Sequence, residues 1–243
     1  MSVESEPRAV VARAIGFRRR LWILGGLLAA GVLVALMLGR YPGPYVTPLE
    51  ALAQDALARS VVLNLRMPRI IAAVVLGAVL AASGTTFQFI FRNPLVDSGF
   101  LGVSQGAAFG ASLAIVALGG SAAVVQGCAA LFAFLGLAAS TFMARRLHLG
   151  DWVLRLVMAG IGVSAVYSAG TGVVKYLADP LRQLPDITFW LLGGLWAITW
   201  VDVAHMLPVV LPCLIVLVLM RWRLNLLSLR DETAFSLGVV PGR

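Results

Sequence analysis

The stretch RMPRIIAAVVLGAVLAASG, residues 66–84, sets Arg66 and Arg69 at the mouth of a long apolar run. From Ile70 to Phe91 no charged residue occurs. A run of about 18 or more such residues is long enough to cross the hydrocarbon core of a bilayer. The pattern recurs along the chain and predicts six spans, at about 21–39, 68–91, 100–119, 121–143, 153–174 and 201–220. Composition agrees, because 12% of the residues are charged and 60% hydrophobic, whereas a soluble domain carries about 25% charged residues. The sequence therefore reads as an all-α polytopic membrane protein with six transmembrane helices.

The net charge of +8 does not point to nucleic acid, because the arginines lie between apolar runs and orient them. With the N-terminus cytoplasmic, 13 of the 19 basic residues fall on the inner side and six (Arg40, Arg59, Arg66, Arg69, Lys175 and Arg182) on the outer side. That asymmetry follows the positive-inside rule. It makes residues 1–20 a cytoplasmic tail, 21–220 the membrane domain and 221–243 a second cytoplasmic segment. The first apolar run follows Arg18, Arg19 and Arg20 and is followed by no small-residue cleavage site, so it reads as a retained helix. ITFWLLGGLWAITW (187–200) is apolar but short, with Gly193 and Gly194 in its middle. Such a length suits an interfacial or re-entrant piece, and Trp190, Trp196 and Trp200 suit an outer aromatic belt.

The acidic residues lie in tails, in loops or at span ends. An ion-coupled carrier needs ionisable groups at membrane depth, and none is visible. The single lysine, Lys175, follows Val174, which excludes the GxxxxGK[ST] phosphate loop. Cys128 and Cys213 sit apart in apolar segments, and His148 and His205 have no second ligand at metal spacing. No catalytic residue, metal site or cofactor is expected on this chain. Small residues instead mark helix packing: Gly106 and Gly110 have GxxxG spacing, and residues 158–175 are rich in Gly, Ala and Ser.

One linked set of motifs goes further. R-M-P-R (66–69), S-G (83–84), Gln88, R-N-P-L (92–95) and L-G-V-S-Q-G-A (101–107) follow one another in order. RLVMAGIGV (155–163), LPDITFWLLGGLWAITWVDV (184–203) and RLNLLSLRDETAFSLGV (223–239) continue the pattern. From about residue 20 to its end the chain closely resembles the FecCD-type permeases of bacterial ATP-binding-cassette importers, the family that includes the vitamin B12 permease. Two departures are Arg230, where the family usually has Gly, and Ser98, where it usually has Pro.

The resemblance implies the N-terminal part of a permease fold of about ten helices related by internal repeats. It implies transport of iron–siderophore, haem or cobalamin-type chelates across a bacterial or archaeal cell membrane. The partners it implies are a second permease subunit, a cytoplasmic ATPase dimer that binds the ATP, and a periplasmic or lipid-anchored binding protein. Arg66 and Arg69 would meet acidic residues of that binding protein, as matching arginines do in the family. Charge pairs of this kind steer and register a partner. Asn93, Pro94 and Leu95 would form one cytoplasmic constriction, and Asp151, Trp152 and Val153 the other. The ATPase would dock on Leu224, Asn225, Leu226, Leu227, Ser228, Leu229, Asp231, Glu232, Leu237 and Gly238. Independently of the resemblance, Pro94 reads as a helix stop with Asn93 bonding the freed backbone, and Pro68 as a first-turn residue. Two other readings are a truncated, inactive permease and an ion-coupled secondary carrier.

Overall fold

The computed structural model describes residues 5–41, 43, 45–94, 96–148 and 150–227. Their regular structure is helical: α1 (Ser5–Met37), α2 (Leu49–Gln54), α3 (Ala56–Ser60), α4 (Met67–Phe91), α5 (Val103–Ala117), α6 (Ala122–Arg146), α7 (Trp152–Leu177), α8 (Gln183–Leu192) and α9 (Trp200–Leu227). A π-helical turn (Val61–Arg66) joins α3 to α4, and a 3-10 turn (Ser98–Leu101) precedes α5. An isolated antiparallel bridge pairs Leu38 with Val46.

Among the described residues, five helical runs are long and apolar enough to cross a membrane: Gly16–Met37, Ala56–Phe91, Ala122–Arg146, Trp152–Leu177 and Trp200–Asn225. The remaining expected span, 100–119, holds the 15-residue helix α5. At 1.5 Å per residue α5 reaches only about 22 Å, against a hydrocarbon core of about 30 Å. Glycines set its length, because Gly102 has φ +78° before it and Gly119 and Gly120 have φ +80° and +65° after it. The short apolar stretch expected to lie at an interface is the ten-residue α8, closed by Gly193 and Gly194 at φ +72° and +149°.

The chain divides into two compact units, residues 1–75 with 195–208 and residues 76–194 with 209–243. In the first, Asp55 caps α3 by accepting from Leu57 N at 2.8 Å. Pro68 lies in the first turn of α4, as the sequence suggests, but that turn continues directly from the π-helical turn before it. The π-helical turn accommodates it. Met67 N donates to Val62 O in the π register, and in that register Leu63 O would need the N–H that Pro68 lacks. The indole Nε1 of Trp200 donates to Leu63 O instead, at 2.9 Å.

In the second unit α5 packs at the centre of α6, α7 and α8. A Cβ on Gly106 would overlap Phe132 O, and one on Gly110 would overlap Cys128 O. A Cβ on Gly136 would lie 2.6 Å from Gly102 O. The small residues thus let two backbones approach where side chains would separate them, the packing expected of helices in lipid. Phe109 fills the space left by Gly170 and meets Phe132 edge-on, ring centroids 5.2 Å apart, and Tyr167 at 5.5 Å. Ile187 of α8 is fully buried against Val174 and Ala178, beside Phe109, Ile115 and Val116.

Candidate functional site

The sequence nominates three places: the arginine pair, the two loops of a constriction, and the end of α9. At the first, Arg66 closes the π-helical turn and Arg69 lies in the first turn of α4. The two side chains differ in what they do. Arg66 makes hydrogen bonds to Leu36 O, Thr47 Oγ1 and Tyr41 O. Arg69 Nε is buried without a hydrogen-bond partner. Beside them, Tyr41 donates its hydroxyl to Asp55 Oδ2 at 2.9 Å. That bond, with the amide of Leu57, holds the Asp55 carboxyl below its ordinary value, and the same bond raises the Tyr41 phenol.

At the second place, α4 ends in a left-handed residue. Arg92 has φ +49°, and the amides of Arg92 and Asn93 return to Phe89 O at 3.3 Å and Gln88 O at 3.2 Å. This is the Schellman arrangement, with arginine in the position that glycine usually takes. The helix stops by this backbone motif, and Pro94 follows it. Asn93 contributes its amide to the stop and its carbonyl to Val96 N at 3.4 Å. Asn93 and Pro94 are exposed, and Leu95 lies outside the described residues.

The other loop leads from α6 into α7. Asp151 caps α7, its Oδ1 accepting from Trp152 N at 2.7 Å. Arg155, one turn on, reaches back so that Nη1 donates to Leu147 O at 3.1 Å, and its guanidinium lies 5.8 Å from the Trp152 ring centre. The arginine thus closes the loop by serving the carbonyl that ends α6. In the sequence Arg155 counts toward membrane orientation and opens the RLVMAGIGV stretch, and neither signals this role.

The structure brings these two loops into one core. Phe91, Val96 and Leu101 are buried with Ala144, Leu156 and Ala159, and Leu147 and Val153 pack on that cluster. Ser140 of α6 donates to Leu101 O at 2.8 Å, so a buried hydrogen bond ties the 92–101 connection to α6. Val96 lies just past the residues that the sequence suggests for the constriction, and Leu101, which opens the L-G-V-S-Q-G-A motif, has no site role in that reading.

At the third place, α9 continues without a break through Arg221 and Arg223 to Leu227. Leu224 and Asn225 therefore extend that helix, with Leu224 buried and Asn225 exposed, and Leu226 and Leu227 lie on its last turn. Ser228, Leu229, Asp231, Glu232, Leu237 and Gly238 lie outside the described residues. Among the described residues no group of three His, Cys, Asp or Glu is placed to hold a metal ion.

Comparison with known proteins follows the same residues. A model of the FecCD transport family matches residues 27–243. A probable iron chelatin transport system permease of Helicobacter pylori is 41% identical over 183 residues, 74% of this chain and 54% of that protein. The molybdate import system permease of Haemophilus influenzae is 36% identical over 220 residues, 88% of this chain and 65% of that protein. The hemin transport system permease of Yersinia pestis is 40% identical over 184 residues, 73% and 54% of the two chains. The chain thus spans between about half and two thirds of the length of these curated relatives. A solved structure, an inward-facing metal-chelate type ABC transporter, superposes with TM-score 0.80 at 35% identity, covering 91% of this chain and 68% of that one.

Proposed function

Because the chain belongs to the FecCD transport family, we propose that it acts as a membrane-spanning permease subunit of an ATP-binding-cassette importer. The family match over residues 27–243 carries this reading. In it the chain performs no covalent chemistry and holds no cofactor. A second permease subunit completes the pathway, a pair of cytoplasmic ATPases binds and hydrolyses ATP, and a soluble or lipid-anchored binding protein delivers cargo from outside. The protein sits in the cell membrane with its N-terminus cytoplasmic, the orientation the arginine asymmetry favours.

The mechanism proposed is a switch of access. The ATPases act on the end of α9 and the residues after it. Asn93, Pro94 and Leu95 form one cytoplasmic constriction, and Asp151, Trp152 and Val153 the other. The shared core of Val96, Leu101, Leu147, Val153 and Leu156 supports the idea that the two loops move together, because a close-packed cluster transmits displacement instead of absorbing it. On the outer side the Arg66–Arg69 turn marks the face for the binding protein.

The cargo proposed is a metal chelate such as iron–siderophore, haem or cobalamin. Relatives include permeases for iron chelatin, hemin, vitamin B12 and molybdate, so uptake must be measured with each class of cargo. Docking is tested by capturing the purified ATPase on the immobilised chain. Capture by the full chain and its loss on removing residues 221–243 is expected. Equal capture by both contradicts the assignment of the docking segment.

A further inference from the structure

Arg66 is engaged by the segment that follows α1. Its Nη1 donates to Leu36 O at 2.8 Å and to Thr47 Oγ1 at 2.9 Å, and Nη2 donates to Tyr41 O at 3.4 Å. Leu36 O belongs to the last four carbonyls of α1, which have no partner within the helix. The adjoining backbone closes around the same point. Thr47 N donates to Met37 O at 2.9 Å and Gly39 N to Tyr45 O at 3.1 Å. Thr47 is buried, and its hydroxyl donates a hydrogen bond to Tyr41 O at 3.0 Å. Gly39 lies so close that an added Cβ would overlap the guanidinium. The glycine is there for room.

We infer that Arg66 is a positioning residue, which fastens residues 38–48 to the end of α1 and thereby shapes the outer face. A guanidinium presents five N–H groups in a rigid plane, and here that plane is used within the chain. A carboxylate from outside would find both Nη1 hydrogens already given to Leu36 O and Thr47 Oγ1, and would meet only the Nε and Nη2 edge. Only the consequence for docking rests on the function proposed above; the fastening itself is a property of this chain.

The test is hydrogen–deuterium exchange on the full chain in lipid nanodiscs, read at the amides of Gly39 and Thr47. Arg66→Gln, Arg66→Lys and Gly39→Ala are each expected to speed exchange about tenfold, the factor of roughly one charge-assisted hydrogen bond. Arg69→Gln is expected to leave it unchanged. Arg66→Lys keeps the charge without the planar fork, and Gly39→Ala keeps both arginines but removes the seat, so the inference stays testable if Arg66→Gln does not fold. Wild-type exchange in Arg66→Lys and Gly39→Ala, or equal loosening by Arg69→Gln, overturns it. If loosening occurs as expected but no form of the chain captures a binding protein, the docking reading fails and the fastening stands.

Discussion

The indole nitrogen of Trp200 donates to the carbonyl of Leu63 at 2.9 Å, and this is the carbonyl that Pro68 leaves without a π-register donor. A proline in a helical run removes one donor and clashes with the preceding turn. Widening that turn relieves the clash, and a tryptophan far along the chain supplies the missing N–H. Trp200 is thus more than an interfacial aromatic, because its polar atom is committed to the backbone ahead of α4.

Trp200→Phe keeps most of the ring and deletes only the donor. The expected cost is about 1 kcal/mol, one net hydrogen bond, read as a lower thermal unfolding midpoint in detergent. Pro68→Ala should then recover part of the loss, since Ala restores an N–H at the right place. If Trp200→Phe leaves the midpoint unmoved, Leu63 O is satisfied by other means.

At Gly106 and at Gly136 an added Cβ would meet facing backbone, Phe132 O and Gly102 O respectively. Gly106→Leu or Gly136→Val should destabilise the second unit by about 1–3 kcal/mol, because backbone atoms stand where the new side chain must go. Gly77→Ala is the control, for a Cβ there meets nothing within 4 Å. Equal stability of the Gly106 and Gly77 variants contradicts the packing described.

Ser140→Ala removes the donor to buried Leu101 O. An unserved buried carbonyl costs about 1–3 kcal/mol, and the loss should be local. Faster amide exchange across residues 96–102 than across α7 checks this, and uniform exchange across both would argue against a dedicated tie.

Asp55 gives the outer connection an acid dependence. Its carboxyl is held below the ordinary value by the Tyr41 hydroxyl first and the Leu57 amide second. A lowered folded value means the contribution is complete above the ordinary carboxylate range and is lost as pH falls through the folded value. Exchange at residues 55–58 should therefore rise on acidification, and Asp55→Asn should flatten that dependence. A wild-type profile in Asp55→Asn would remove Asp55 from the explanation.

The long spans were legible because each holds an uninterrupted apolar run, and the R-N-P-L and R-M-P-R motifs drew attention to the right turns. Other features were not legible, because they depend on distant partners. Nothing near Arg66 announces Leu36 or Thr47, and nothing near Arg155 announces a carbonyl on the far side of a loop. The shortness of α5 hid for a different reason. Its flanking residues are as apolar as the helix itself, and only the positive φ of Gly102, Gly119 and Gly120 marks where it begins and ends. Arg92 in the glycine position of a Schellman stop is likewise a backbone fact that residue identity conceals.

The central claim is that transport through this chain is driven by a separate ATPase. The most direct measurement is uptake of labelled iron–siderophore, haem, cobalamin or molybdate into proteoliposomes holding the chain, its ATPase and its binding protein. The account predicts uptake of one of these cargoes with ATP and none when the phosphate-loop lysine of the ATPase is replaced. Uptake that persists with the inactive ATPase and collapses when the proton gradient is dissipated would contradict it.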